Sequence, residues 1–265
     1  MNAPISIARL KKMKAEGQKI AVLTAYDASF AQILAQAGVE VLLVGDSLGM
    51  VIQGRDTTLP VSVDEMVYHC ASVRRGAGTA LVVVDMPFMS YNSPQEGLHN
   101  AGRLMKEGGA HMVKLEGGAM VLETVALMSR YGIPVCAHLG LLPQSVHKLG
   151  GYRVQGREQD EAAAILADAK ALEAAGADML VLECVPANLA GDISRALKIP
   201  VIGIGAGVQC DGQVLVLYDM LGITPGKRPK FSKDFLAEAG NIPGAITAYV
   251  TAVKGGQFPG PEHSF

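Results

Sequence analysis

Six short apolar runs in this chain each end on a polar or glycine-rich tip. They are Val41–Ser47 (VLLVGDS), Leu81–Pro87 (LVVVDMP), Met112–Gly117 (MVKLEG), Val135–Gly140 (VCAHLG), Leu180–Val185 (LVLECV) and Val201–Gly207 (VIGIGAG). A strand covered by helices on both faces reads as a continuous apolar run, not as an alternating one. When such strands run parallel, their carboxyl ends converge on one rim. Asp46, Asp85, Lys114, Glu116, His138 and Glu183 sit at or beside these tips, so residues far apart in sequence are expected to meet.

Helix-like segments alternate with the runs. Ser93 followed by Pro94 starts one of them, as an N-cap and a first-turn proline. Glycine closes several, at Gly38, Gly132 and Gly176, where the chain must leave the helix through a left-handed conformation. The unit is strand, loop, helix, glycine. About eight such units fit the 265 residues, which points to a (β/α)8 barrel of the α/β class spanning 1–265 as one domain. An open doubly wound sheet is the competing architecture, but it gathers functional residues at one switch point. Here they are spread over many strand ends. The last strand is placed at Val214–Tyr218, and Ser6–Gln18 reads as an extra amphipathic helix under the barrel.

The net charge of −2 and the scattered basic residues argue against a nucleic-acid partner. The four cysteines form no C-x-x-C pair, which argues against a zinc or disulfide framework. The first residues lack the apolar core of a secretory signal, and no stretch reaches membrane-spanning length. A cytoplasmic protein with no membrane partner is expected.

Asp46 and Asp85 end two successive runs, so their carboxylates should be neighbours. Two carboxylates plus water suit Mg2+, a hard cation that keeps several waters. The bland use of either Asp is loop capping. Lys114 and Glu116 are two apart and share a strand face. Charged groups are rarely buried without partners, so they form a structural ion pair or face a ligand carboxylate or metal. Glu183 breaks an apolar run at its end and can act as a general base there. His138 is the weakest member, more suited to hydrogen-bonded support.

Gly45–Gly49 matches G-x-S-x-G, the nucleophile elbow of α/β-hydrolases. That elbow needs a helix directly after Ser47, whereas Met50–Pro60 reads as a loop, so the match is set aside. Gly203–Gly207 reads either as a phosphate-binding turn or as backbone passing close to a ligand. Gly150–Arg157 (GGYRVQGR) reads as a mobile lid or a plain surface loop.

The segments Thr24–Phe30 (TAYDASF), Val44–Met50 (VGDSLGM), Val113–Gly118 (VKLEGG), His138–Val146 (HLGLLPQSV), Leu180–Pro186 (LVLECVP) and Pro259–Phe265 carry a further signal. Through them the chain resembles the ketopantoate hydroxymethyltransferase (3-methyl-2-oxobutanoate hydroxymethyltransferase) family over essentially its whole length. The resemblance implies a barrel related to phosphoenolpyruvate mutase and isocitrate lyase. It implies formation of 2-dehydropantoate from 3-methyl-2-oxobutanoate and 5,10-methylenetetrahydrofolate, on the route to pantothenate and coenzyme A. It also implies Mg2+ on Asp46 and Asp85 with Glu116 in support. Asp46, Ser47, Asp85 and Lys114 would contact the keto acid, with His138 beside them, and Glu183 would be the base. A cytoplasmic homodecamer is implied as well. Two readings stand beside this one: a Mg2+-dependent carbon–carbon lyase or phosphoenolpyruvate mutase on the same barrel, and a non-catalytic metal-stabilised ring protein.

Overall fold

Eight parallel strands close into a barrel in chain order, β1 pairing with both β2 and β8. The computed structural model describes residues 3–151, 153–224, 226 and 228–265. The strands are β1 (Ile20–Thr24), β2 (Val41–Val44), β3 (Leu81–Asp85), β4 (Met112–Glu116), β5 (Val135–Gly140), β6 (Met179–Glu183), β7 (Val201–Ile204) and β8 (Gly212–Leu215). All but the tips of β5 and β6 are buried throughout, as helices on the outside and side chains on the inside require. Among the described residues no helix is long and apolar enough to cross a membrane.

The helices follow from local signals. α1 (Ile7–Ala15) starts on Ser6 and α2 (Ala28–Gln36) on Asp27, each cap accepting a backbone N–H of the first turn. Beyond β2 come the single turn α3 (Leu48–Val51) and then α4 (Val63–Gly76), which opens on a full capping box of Ser62 and Glu65. α5 (Pro94–Lys106) starts on Ser93 as the sequence predicts. α6 (Leu122–Arg130), the single turn α7 (Val146–Leu149), α8 (Gln159–Ala175) and α9 (Ala187–Ala196) continue the alternation. Beyond β8 lie α10 (Leu217–Met220), α11 (Leu236–Ala239) and α12 (Ile242–Lys254), and α12 packs on β1.

α1 covers the amino-terminal end of the barrel, as expected. Leu10 and Met13 are buried, while Lys14 Nζ reaches the carbonyls of Ser194 and Ile199 and the carboxylate of Asp211 at 2.7–2.9 Å. Lys11 pairs with Asp178, just before β6.

Three sequence expectations are corrected. The last strand is Gly212–Leu215, two residues earlier than the expected 214–218, and the chain turns into α10 at Leu217. Its first residue had no strand signature because it is a glycine squeezed against β1. A Cβ there would lie 2.4 Å from the Ile20 carbonyl oxygen. Second, β7 and β8 are joined by residues 205–211 with no helix between them. Gly205 and Gly207, at φ +60° and +81°, turn the chain back over that short path. Third, α3 starts directly after Ser47 and runs on into the first residues of the Met50–Pro60 stretch expected to be loop.

Candidate active site

Strand register assembles the site at the carboxyl end of the barrel. Asp85 on β3 lies opposite Lys114 on β4, and Glu116 on β4 lies opposite His138 on β5. Side chains alternate along a strand. Lys114 and Glu116 therefore share a face, as do Cys136 and His138, and Val181 and Glu183. That face is the inner one. Below the mouth the barrel is filled by Val22, Val41, Val83, Cys136, Val181 and Val214, with Lys114 rising from among them.

The six tip residues come together. Lys114 Nζ is 2.9 Å from Asp85 Oδ1, with both side chains 6% exposed. The approach is off the hydrogen-bond direction, so this buried oxygen is ion-paired without a hydrogen bond. Asp85 Oδ2 accepts the backbone N–H of Asp46 at 3.0 Å, which holds the β2 and β3 tips together. A Cβ on the neighbouring Gly45 would lie 2.6 Å from Ser47 Oγ, so glycine there leaves room for the Ser47 side chain. His138 bridges two acids: Nδ1 is 3.5 Å from Glu116 Oε1 and Nε2 is 3.3 Å from Glu183 Oε2. Lys114 Nζ is 3.4 Å from the same Nδ1. Ser47 is at the rim with its Oγ 2.9 Å from the Tyr26 hydroxyl.

The electrostatics follow from burial and crowding. Burial pushes the Asp46 carboxyl up to about 8, and the nearby charges of Asp85 and Glu116 push the same way. Burial acts to lower Lys114, but Asp85, Glu116 and Asp46 outweigh it and raise the ammonium well above its usual value. His138 is opposed by burial and by Lys114. Its contacts with Glu116 and Glu183 prevail and hold it above its ordinary value.

Glu183 ends β6 at a forced kink. Cys184, the next residue, has φ +49°, a conformation L side chains rarely adopt. Gly140 at the tip of β5 has φ +92°, and a Cβ on it would sit 2.2 Å from the Glu183 carbonyl oxygen. The close crossing of these two tips sets the direction of Glu183.

Two residues that sequence reasoning missed complete the site. Gln144, in the turn after β5, donates from Nε2 to Asp46 Oδ2 and to the Met86 carbonyl, both at 2.9 Å. Its backbone N–H donates to Glu116 Oε2 at 3.1 Å. Tyr91, in the loop after β3, donates to Gln144 Oε1 at 2.5 Å and accepts from the Glu116 N–H at 3.3 Å. Neither lies in a periodic segment. The available signal was a polar residue in a loop at the carboxyl face of a barrel.

The other motifs settle differently. The glycines of Gly203–Gly207 are filled by protein: a Cβ on Gly203 would meet Cys210, on Gly205 Phe231 and on Gly207 Ala187. Their smallness serves close chain packing. The turn after Ser47 does satisfy the helix requirement of a nucleophile elbow. However, the hydrogen bond of Ser47 Oγ runs to Tyr26, and His138 faces Glu116 and Glu183 instead. The expected lid includes Tyr152, which lies outside the described residues. Of its remainder, Gln155 N–H donates to the Cys184 carbonyl at 2.9 Å, tying that segment to the β6 tip.

Among the described residues no three His, Cys, Asp or Glu side chains form an all-protein metal cage. The donor set nevertheless fits Mg2+. Asp46 and Asp85 offer two hard carboxylates, one with a buried oxygen that lacks a hydrogen bond. Mg2+ commonly binds through one or two carboxylates, the rest of its shell being water and substrate. Glu116 is one residue removed, tied to Asp46 through Gln144.

A model of the ketopantoate hydroxymethyltransferase family matches residues 4–261. The 3-methyl-2-oxobutanoate hydroxymethyltransferase of Alkalilimnicola ehrlichii is 64% identical over 262 residues, covering 99% of this chain and 95% of that protein. Among solved structures, phosphoenolpyruvate phosphomutase from Streptomyces platensis subsp. rosaceus superposes with a TM-score of 0.62 at 15% identity, covering 82% of this chain and 83% of that one. A 2,3-dimethylmalate lyase of the PEP mutase/isocitrate lyase superfamily gives a TM-score of 0.57 at 15% identity, covering 84% and 81%. At that identity these two structures establish the shared fold alone.

Proposed function

Since the chain belongs to the ketopantoate hydroxymethyltransferase family, a family of transferases, we propose that it moves a hydroxymethyl group from 5,10-methylenetetrahydrofolate to 3-methyl-2-oxobutanoate, giving 2-dehydropantoate. The observation that carries this reading is the Glu116–His138–Glu183 bridge beside the buried Asp46, Asp85 and Lys114. It supports the reading because a carboxylate held by a histidine lies beside an ammonium that would suit an anion and two carboxylates that would suit a hard metal.

Asp46 and Asp85 would hold Mg2+, with Glu116 in support. When bound, the ion supplies Lewis-acid withdrawal of charge from the keto acid, which makes its C3 hydrogen more acidic. Lys114 offsets the negative charge of the substrate carboxylate, at a position where burial strengthens the attraction. Ser47, at the rim just before α3, would offer a hydroxyl to the keto acid. Glu183 takes the C3 proton. His138, whose ring nitrogens both face protein acids, orients Glu183 and serves the substrate through it. The C3–H electron pair then attacks the one-carbon unit. Both C–N bonds of the methylene break as the C3–CH2 bond and a C–O bond to water form. The proton held by Glu183 and the one released by water go to the two folate nitrogens, leaving tetrahydrofolate. The folate co-substrate, the pathway to pantothenate, the single-domain organisation and a cytoplasmic homodecamer belong to the same proposal and rest on the family.

The test is direct. Purified protein is given 3-methyl-2-oxobutanoate and methylenetetrahydrofolate, with Mg2+ or with EDTA. The proposal expects 2-dehydropantoate only when metal and folate are both present. Turnover of the keto acid without folate would favour the lyase or mutase reading, and full activity in EDTA would remove the metal from the account.

A further inference from the structure

We propose that Gln144 is a positioning residue for Asp46, and that its own orientation is set from outside the metal site by Tyr91. The inference rests on the proposed Mg2+ site and gives a role to Gln144, for which the sequence alone supplies none inside the His138–Val146 segment.

An amide side chain can be flipped with almost no change of shape, so its direction must be fixed by its neighbours. Here both ends of the chain of contacts are backbone groups of single polarity. The Glu116 N–H can only donate, and it points at the Tyr91 oxygen 3.3 Å away. That oxygen accepts, which leaves the phenol proton for Gln144 Oε1 at 2.5 Å. At the far end, the Met86 carbonyl can only accept, and it lies 2.9 Å from Gln144 Nε2. The polarity therefore runs one way, from Glu116 through Tyr91 to Gln144. The second hydrogen of the same amide meets Asp46 Oδ2 at 2.9 Å.

Asp46 Oδ2 is thus faced by a donor that cannot turn away. The contact fixes the rotation of the Asp46 carboxylate. The Gln144 backbone N–H holds Glu116 Oε2 in the same way, so one residue on the turn after β5 secures two acids from β2 and β4. The whole assembly is enclosed, Gln144 being 7% exposed. Since a bound cation would depend on the acids Gln144 holds, the turn that carries Gln144 should in return be steadied by the cation.

The experiment titrates Mg2+ into the full-length protein without keto acid, by calorimetry. Wild type is compared with Gln144→Met, which keeps volume and removes polarity, and with Tyr91→Phe, which touches no acid side chain. Gln144→Met should bind Mg2+ about 10–100-fold more weakly, the usual effect of losing an outer partner of a metal ligand. Tyr91→Phe should cost about fivefold, roughly one hydrogen bond. Hydrogen exchange of peptides covering 141–148 should slow when Mg2+ is added to wild type and respond less in either variant. That readout separates positioning from a merely structural role, and Tyr91→Phe keeps the test open if Gln144→Met folds poorly. Wild-type affinity in Gln144→Met would overturn the inference, and wild-type affinity in Tyr91→Phe would overturn the relay through the phenol. No Mg2+ binding by wild type would instead overturn the proposed metal site on which both rest.

Discussion

Burial acts in opposite directions on Asp46 and Lys114, and the difference shapes how the site should behave. Asp46 is pushed up to about 8 by burial and then by its acidic neighbours, so at neutral pH a proton competes for the oxygens that would bind metal. A cation must displace that proton. Mg2+ affinity should therefore rise from pH 6 to about 8 and level off above it. Calorimetric titration at pH 6, 7 and 8.5 checks this, and an affinity independent of pH would contradict it. Lys114 is protonated throughout, because the three acids around it outweigh its burial. Lys114→Ala should weaken keto acid binding by about 1.5–3 kcal/mol, the range for a hydrogen bond to a charged group. Normal binding in a variant that merely melts earlier would make Lys114 a structural partner of Asp85. These residues were legible because a charge inside an apolar run has few structural uses. Gln144 and Tyr91 were not, since a neutral polar residue in a loop carries no periodicity and no charge anomaly.

At the scale of elements, most of the barrel could be read because buried parallel strands are apolar and helices announce themselves with caps. Ser93 with Pro94, and the glycines after α2 and α8, are direct instances. β8 resisted because Gly212 and Gln213 give it no apolar run. The missing helix between β7 and β8 resisted because pattern counting assumes every unit is complete. What sequence could not show is the crossing of β5 and β6. Gly140 has positive φ and lies against the Glu183 carbonyl, so Gly140→Ala combines backbone strain with a clash. The variant should lose about 1–3 kcal/mol of stability. Its kcat should fall about tenfold or more as Glu183 is displaced, while keto acid KM changes little. Denaturant unfolding and steady-state kinetics measure the two effects, and an active, stable variant would mean that the β6 tip shifts without consequence for Glu183.

For the molecule as a whole, the closed barrel and the amino-terminal helix beneath it follow from the alternation of strands and helices, whereas assembly does not. Met120 and Tyr131 are exposed on the outer surface among the described residues, but isolated exposed apolar residues are ordinary. The decamer therefore rests on the family, and light scattering at micromolar concentration should report a mass about ten times the 27.7 kDa chain. A single-chain mass would refute it. The central claim is proton removal from C3 by Glu183, and it can be observed apart from folate and assembly. Protein, Mg2+ and 3-methyl-2-oxobutanoate in heavy water should lose the C3 proton signal by NMR. Glu183→Gln keeps the shape of the side chain and removes its basicity, so it should still bind the keto acid while exchange falls about 100-fold or more. Exchange at the wild-type rate in that variant would contradict the account and move the base elsewhere, with His138 next in line.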